Sequence, residues 1–478
     1  MKRFAWQKLQ GIIFEGTEEK METNQESRIL GEEKISKLLL KFSLPCVMGL
    51  LISALYNIVD QIFIGNSELG FLGNAATGVS FPVICIANAF AWCVGDGAAS
   101  YLSICSGRKD TERAHKCVGS GIVATTLISI VLMVVCEVFA TPLMSIFGAS
   151  DQTLGMAVEY FRIVVAFFPF YLLLNVMNSM IRADGSPSYA MAAMLIGAIT
   201  NIILDPIFIF GLGLGVKGAA LATVLSQGVG ALWILRFLTG KKTSLRLRVV
   251  NMKLDPKVFL PCLGLGISTF VMLSTESLLS ISFTTSLSRY GGDLAVGAMT
   301  IITSVSQLVT MPMQGICQGG QPIISFNYGA GNKERVKKAF FLQFAICAIY
   351  ATLFWLISMS MPQLFAGIFT NDVALVEYGA WALRIYMAGI FAFGLQLSCQ
   401  QSFMALGQAK ISLVLACLRK IVLLIPLIFI LPMFFENKVF GVFLAEPVCD
   451  ITAALVTTIT FFSQFNKILN RNTEKKDA

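Results

Sequence analysis

The sequence predicts an all-α polytopic membrane protein with twelve transmembrane helices in two six-helix lobes, related by a pseudo-two-fold axis along the membrane normal. Three observations predict it. The 478 residues are 56% hydrophobic and only 13% charged, against about 45–50% and about 25% for ordinary globular chains, which excludes a water-soluble ball. The apolar residues fall in blocks of roughly 20 to 28, the length that crosses a hydrocarbon core about 30 Å thick at about 1.5 Å per helical residue. The two halves of the chain also repeat one another.

With charges as punctuation, the spans fall near 42–64, 77–106, 118–147, 157–181, 189–211, 218–239, 258–287, 297–325, 339–365, 377–404, 412–434 and 440–465. Of the Lys and Arg between them, twenty-eight lie in the loops on the side of the N-terminus and three on the other side. That asymmetry predicts cytoplasmic N- and C-termini and makes the net charge of +8 a topology signal rather than a nucleic-acid footprint. Residues 1–41 carry no continuous apolar stretch with a small-residue cleavage site, so they read as an uncleaved cytoplasmic extension. The lobes are then 42–239 and 258–465, joined by a basic linker at 240–257 and followed by a tail at 466–478.

The repeat appears at an offset of 222, where Gly97, Ser103, Gly107, Glu112, Arg113 and Lys116 fall on Gly319, Ser325, Gly329, Glu334, Arg335 and Lys338. At the start of each half the offset is 216: Leu44-Pro45-Cys46 meets Leu260-Pro261-Cys262, and Asp60 falls on Glu276. Six spans per half start each half on the same side of the membrane. Two lobes facing each other across a cavity is the layout of several secondary transporters.

Ionisable residues deep inside spans carry the functional reading, because an unpaired charge in hydrocarbon costs at least about 2.5–3.5 kcal/mol. Asp60 lies in the first span with Asn57 three residues before it; Asn201 and Asp205 lie four apart in the fifth, just ahead of Pro206. Each pair shares a helical face, and Pro206 loosens a backbone carbonyl beside the carboxylate. Two carboxylates, an amide and a carbonyl form a hard-oxygen site for a proton or a sodium ion. In the tenth span Gln396 and Gln400 share a face and are expected to line the cavity. Arg162 with Glu159, and Arg384 with Glu377, have helical spacing and are expected to pair near span ends.

Other chemistries lack their residues. The single histidine, His115, excludes histidine triads and metal cages, and the twelve cysteines include no C-x-x-C pair. Gly213-Leu-Gly215-Val-Lys-Gly218 fits a G-x-G-x-x-G pattern but joins two spans without a preceding strand, so it reads as a tight loop. No phosphate-binding G-x-x-x-x-G-K-[ST] run occurs.

Residues 36–465 resemble the multidrug and toxic compound extrusion (MATE) transporters. The resemblance rests on Pro45 with Asp60, Asn201-Ile-Ile-Leu-Asp205-Pro206, Gly218-Ala-Ala-Leu-Ala-Thr223, Ser325-Phe-Asn-Tyr-Gly-Ala330 with Arg335, and Gly441-Val-Phe-Leu-Ala-Glu-Pro447. Gln321-Pro322 with Asn327-Tyr-Gly-Ala looks most like the MepA-type multidrug exporters. The resemblance implies a plasma-membrane antiporter without a cofactor or enzymatic activity, working as a monomer and exporting cationic or amphiphilic drugs against protons or sodium. It implies a cation site at Asp60, Asn201, Asp205 and Thr223, with Asn57, Glu276, Gln396 and Gln400 near substrate. Family members with an acid matching Glu276 also carry one in the tenth span, where this chain has Leu395 and Gln396. The alternatives are a lipid-linked oligosaccharide flippase of the same superfamily, a channel and an intramembrane enzyme.

Overall fold

A computed structural model describes residues 29–67, 70–240, 243, 247, 249–369 and 372–477. Most of the N-terminal extension, much of the basic linker and the last residue of the tail lie outside these described residues. Among the described residues the chain is helical throughout, with no strand.

Among the described residues ten helices are long and apolar enough to span, and the pair Leu154–Ala166 and Phe168–Ala183, bent by 53°, adds an eleventh. The run Pro256–Ala330 holds 75 residues, about 110 Å of helix if straight, far more than a bilayer takes. It breaks at Gly292, whose φ of +64° only glycine adopts readily, and so supplies two spans. The total is the expected twelve. In order they are Ile35–Gly65, Phe81–Gly107, Thr111–Val138, the bent fourth, Pro187–Pro206, Val216–Thr239, the two limbs 256–291 and 293–330, Lys333–Ser360, a tenth from Val373 to Ala405, an eleventh from Ala409 to Met433 and a twelfth beginning at Lys438. The first span starts seven residues earlier than hydropathy places it.

Local chemistry sets the ends. Asp110 accepts from the Arg113 amide and opens the third span. Asp255 accepts from the Lys257 amide, with Pro256 in the first helical position of the seventh. The glycine-rich run after the fifth span is the tight loop expected, with Gly213 and Gly215 both at positive φ. Outward faces are apolar: Leu127, Val131, Val134 and Val138 form one exposed stripe of the third span, as a lipid-facing surface requires. Ion pairing near span ends differs from the helical-spacing expectation. Glu159 pairs with Lys217 at 3.1 Å, Arg162 with Glu137 at 3.8 Å, and Arg384 donates to the Met359 carbonyl. In each case the partner comes from another helix rather than from the residue's own.

Each lobe has its own core, one centred on Phe161, Phe168 and Val176 and the other on Phe283, Leu383 and Phe443. Between the lobes, glycines bring backbone against backbone. A Cβ on Gly107 would stand 2.1 Å from the Phe326 carbonyl oxygen, and one on Gly329 would stand 2.2 Å from that of Ile104. Ile104 and Phe326 are themselves 222 residues apart, so this contact is reciprocal across the pseudo-two-fold axis. Gly97 and Gly266 pack the second span against the seventh in the same way, and Gly319 meets Ser43 of the first. Gln321 donates across the boundary to the Asp96 carbonyl (3.1 Å) and the Ser100 hydroxyl (2.6 Å).

All these approaches lie in the half of the molecule that holds both chain ends, and they close it. Toward the other end Leu55, Phe81, Leu278 and Ile281 are exposed. Cys117 and Cys262, from opposite lobes, bring their sulfurs to 3.3 Å in the closed half. If this closure opens and shuts during work, diamide, which takes two electrons and two protons from a thiol pair, will join them and arrest the protein. Dithiothreitol restores activity, and Cys262→Ser is expected to be indifferent to the oxidant, as dye-flux assays will show.

The Ser325–Ala330 motif also finds its place here. Asn327 donates to the Leu30 carbonyl at 3.1 Å, and Arg335 donates to the carbonyls of Leu30 and Glu33 and to the Asn327 side-chain oxygen at 2.8–3.0 Å. The start of the chain is thereby clasped to the C-terminal lobe. There Leu38, Leu39 and Phe42 join a core with Phe340, Phe403 and Phe461.

Candidate functional site

The first and fifth spans pack together in the N-terminal lobe and bring Asp60 to Asp205. Both acids are buried, at 7% and 0% exposure, and their carboxyl groups lie within hydrogen-bonding reach of each other. Asn201, one turn before Asp205, donates to its Oδ1 at 3.3 Å. Pro206 has no amide hydrogen for the Ile202 carbonyl, and the chain widens at once into a π-helical turn, Ile207–Gly211. The loosened backbone expected beside Asp205 is therefore present.

Three oxygens of this cluster, Asp60 Oδ1, Asn201 Oδ1 and Asp205 Oδ2, are buried without a hydrogen-bond partner. Two carboxylates at this range repel unless a proton or cation stands between them. The site thus combines acidic oxygens, an amide oxygen and unmet acceptor capacity, a donor set that fits a proton or a small hard cation. Tyr56 and Tyr160 lie within electrostatic range of both acids; nothing in the sequence singles them out, since tyrosines in apolar runs look like core.

The structure does not gather every expected residue here. Asn57 is exposed and donates to the Ser53 carbonyl of its own helix. Thr223 is half-buried on the sixth span, and among the described contacts its hydroxyl reaches neither acid. Gln396 and Gln400 do not line an open cavity, contrary to expectation. They are 1% and 2% exposed; Gln396 donates to Gln400 at 2.6 Å, and Gln400 donates to the Ser412 carbonyl. One glutamine bonds its neighbour on the same helix and the other bonds the next helix, a packing role that face-sharing in sequence cannot distinguish from cavity lining.

Two charged clusters go beyond the residues that the sequence singles out. In the N-terminal lobe Arg182 bonds Asn178 and Ser179 and stands 3.7 Å from Asp96. In the C-terminal lobe Arg419 binds Asp450 at 2.7 Å and Glu446 at 3.1 Å, while Lys420 pairs with Glu276 at 2.5 Å. A signal for the second exists: Glu446 and Asp450 are four apart inside an apolar span, and two adjacent bases sit inside the one before it.

A two-lobed bundle of twelve spans with a deep acid pair between helices of one lobe has the layout of a membrane transporter. The chain belongs to the MatE family, whose model matches residues 45–207 and 268–465. Multidrug export protein MepA of Staphylococcus aureus (strain MRSA252) is 27% identical over 431 residues, covering 88% of this chain and 93% of its own. MepA of Staphylococcus haemolyticus (strain JCSC1435) is likewise 27% identical, covering 89% and 94%. The fold is shared with a MATE crystal structure in the bent conformation (TM-score 0.88, 24% identity, 94% of this chain and 99% of that one). It is also shared with the outward-facing conformation of a multidrug resistance MATE family transporter of the MOP superfamily (TM-score 0.87, 24% identity, 92% and 98%).

Proposed function

We propose that the chain is a secondary active exporter of cationic or amphiphilic drugs and toxic compounds, coupled to inward flow of protons or sodium by alternating access. The observation that carries this reading is the buried Asp60–Asn201–Asp205 cluster with its three unpartnered oxygens. The MepA relatives, named as multidrug export proteins, support the substrate class.

Charge supplies the coupling. With both acids ionised the N-terminal lobe is negative and favours an organic cation in the cleft. A proton or sodium ion entering the cluster cancels that charge, releases the drug and lowers the cost of enclosing the acids in dry packing. On this reading the chain resides in the plasma membrane and works as a monomer, with both termini cytoplasmic. The glycine-packed closed end then faces the cytoplasm and the cleft opens outward. Vesicles given a proton gradient or a sodium gradient separately provide the test. At least one gradient should drive ethidium uphill, and collapsing it should stop transport. Flux that persists with both gradients collapsed would identify a channel instead.

A further inference from the structure

The cluster of the C-terminal lobe is placed by the repeat where the acid pair of the N-terminal lobe stands, yet it is built differently. Glu276 corresponds to Asp60 at the 216-residue offset, and its partner is a base, Lys420 of the eleventh span, at 2.5 Å. Five ionisable groups share the site. Arg419 is taken up by Asp450 through Nε (3.0 Å) and Nη2 (2.7 Å) and by Glu446 (3.1 Å), and its guanidinium lies 4.6 Å from the Phe393 ring centre. Three acids face two bases, so the fully ionised cluster carries one excess negative charge.

Exposure decides where that excess acts. The side chain of Lys420 is 6% exposed, whereas that of Glu276 is 55% exposed; Arg419, Glu446 and Asp450 are buried. Glu276 also faces the other lobe. Cys85 of the second span lies within its electrostatic range. Phe90 and Phe270 meet between the lobes at 4.8 Å, about 9 Å along the seventh span from Glu276. The carboxylate is therefore exposed on the side that faces the other lobe, beyond that aromatic contact, with its counter-ion reaching it from the buried side.

We propose that Lys420 is a tethered counter-ion occupying the place of a substrate's positive charge on Glu276, so that the pair admits monovalent organic cations and sets their affinity by competition with the lysine ammonium. This rests on the reading of the chain as an exporter of cationic compounds. When a substrate cation takes Glu276, Lys420 keeps the field of Glu446 and Asp450 on its inner side, so the ammonium is not stranded. The bound cation brings the cluster to neutrality, which limits the site to a single positive charge.

The test uses the purified full chain in detergent and two ions of nearly equal size and opposite sign, tetraphenylphosphonium and tetraphenylborate, titrated calorimetrically. Lys420→Met is expected to tighten tetraphenylphosphonium binding about tenfold and to weaken tetraphenylborate, because a competing positive charge is gone. Glu276→Gln is expected to weaken tetraphenylphosphonium about tenfold. Adding Lys420→Met to Glu276→Gln should recover part of that loss, and Lys420→Arg should match the parent.

A merely structural bridge would move both ions in the same direction, and that result overturns the proposal. So does an unchanged tetraphenylphosphonium affinity in a Lys420→Met variant that elutes as a single folded species. Should that variant aggregate, the Glu276→Gln and double-variant arms decide: equal shifts for both ions reject the proposal. If the parent protein binds tetraphenylphosphonium saturably but Lys420→Met is inert, only the counter-ion idea falls. If the parent neither binds it nor transports cations under a gradient, the functional reading falls and takes this one with it.

Discussion

Asp205→Asn is expected to leave the protein folded in the membrane and to reduce gradient-driven efflux of ethidium to the passive leak. The side chain is fully buried, accepts from Asn201 and lies in reach of Asp60. An amide keeps the volume and can still share a hydrogen bond, so packing is preserved. What disappears is the ability to alternate between charged and neutral. Enclosing an ionised carboxylate in hydrocarbon costs at least about 2.5–3.5 kcal/mol, which corresponds to roughly a hundredfold preference between conformations. Removing the charge removes that bias, and with it the link between ion entry and drug release. On the proposed coupling the two carboxyl groups hold the ion together, so Asp60→Asn should behave alike. Surface labelling and quantification of membrane-inserted protein distinguish loss of coupling from loss of folding. Normal uphill efflux in both variants would take these acids out of the coupling role.

Gly266→Ala is expected to have a comparable effect by a mechanical route. A Cβ there would lie 1.7 Å from the Cys93 carbonyl oxygen and 2.6 Å from its carbon. Both are backbone atoms, so relief requires the second and seventh spans to move apart by more than about 1 Å. The lobes themselves can still fold, since this contact lies between them. Transport should therefore fail because the closed half cannot shut, while each lobe remains intact. Diamide should no longer join Cys117 to Cys262, and Cys93 should become reactive to maleimide. Gly264→Ala, two residues away, serves as control, because a Cβ at Gly264 would meet nothing within 4 Å. Equal activity in the two variants would show that the lobes do not close on these glycines.

The architecture is legible in the sequence because transmembrane helices must satisfy their backbone internally and expose apolar faces, which leaves long uncharged blocks as a direct trace. Asp60, Asn201 and Asp205 are equally legible: an acid in hydrocarbon stands out, and the proline behind Asp205 marks loosened backbone. Gln396 and Gln400 mislead because periodicity reports which residues share a face and not what that face meets. The pairing of Glu159 with Lys217 and of Arg162 with Glu137 needs neighbouring spans to be placed. Asp96 lies mid-span, between Gly95 and Gly97, and is harder to read as part of a pair. Its partner Arg182 is on another helix, near a span end, where Asp184, two residues on, looks like the nearer partner. Arg419 and Lys420 are visible as intramembrane bases, but which acids they meet is not: Glu446 and Asp450, the partners of Arg419, lie on the next span, and Glu276, the partner of Lys420, lies four spans earlier.

The clasp at Arg335 gives the first span an unusual allegiance. Leu38, Leu39 and Phe42 are packed within the C-terminal lobe, whereas Gly49 abuts Met194 and Asp60 meets Asp205, both in the N-terminal lobe. Pro45 sits between the two attachments, inside the helix, and leaves the Lys41 carbonyl without its amide donor. Any rocking of one lobe against the other must flex this rod at that soft joint. The first span is thus a lever with Asp60 at one end and the opposite lobe gripping the other.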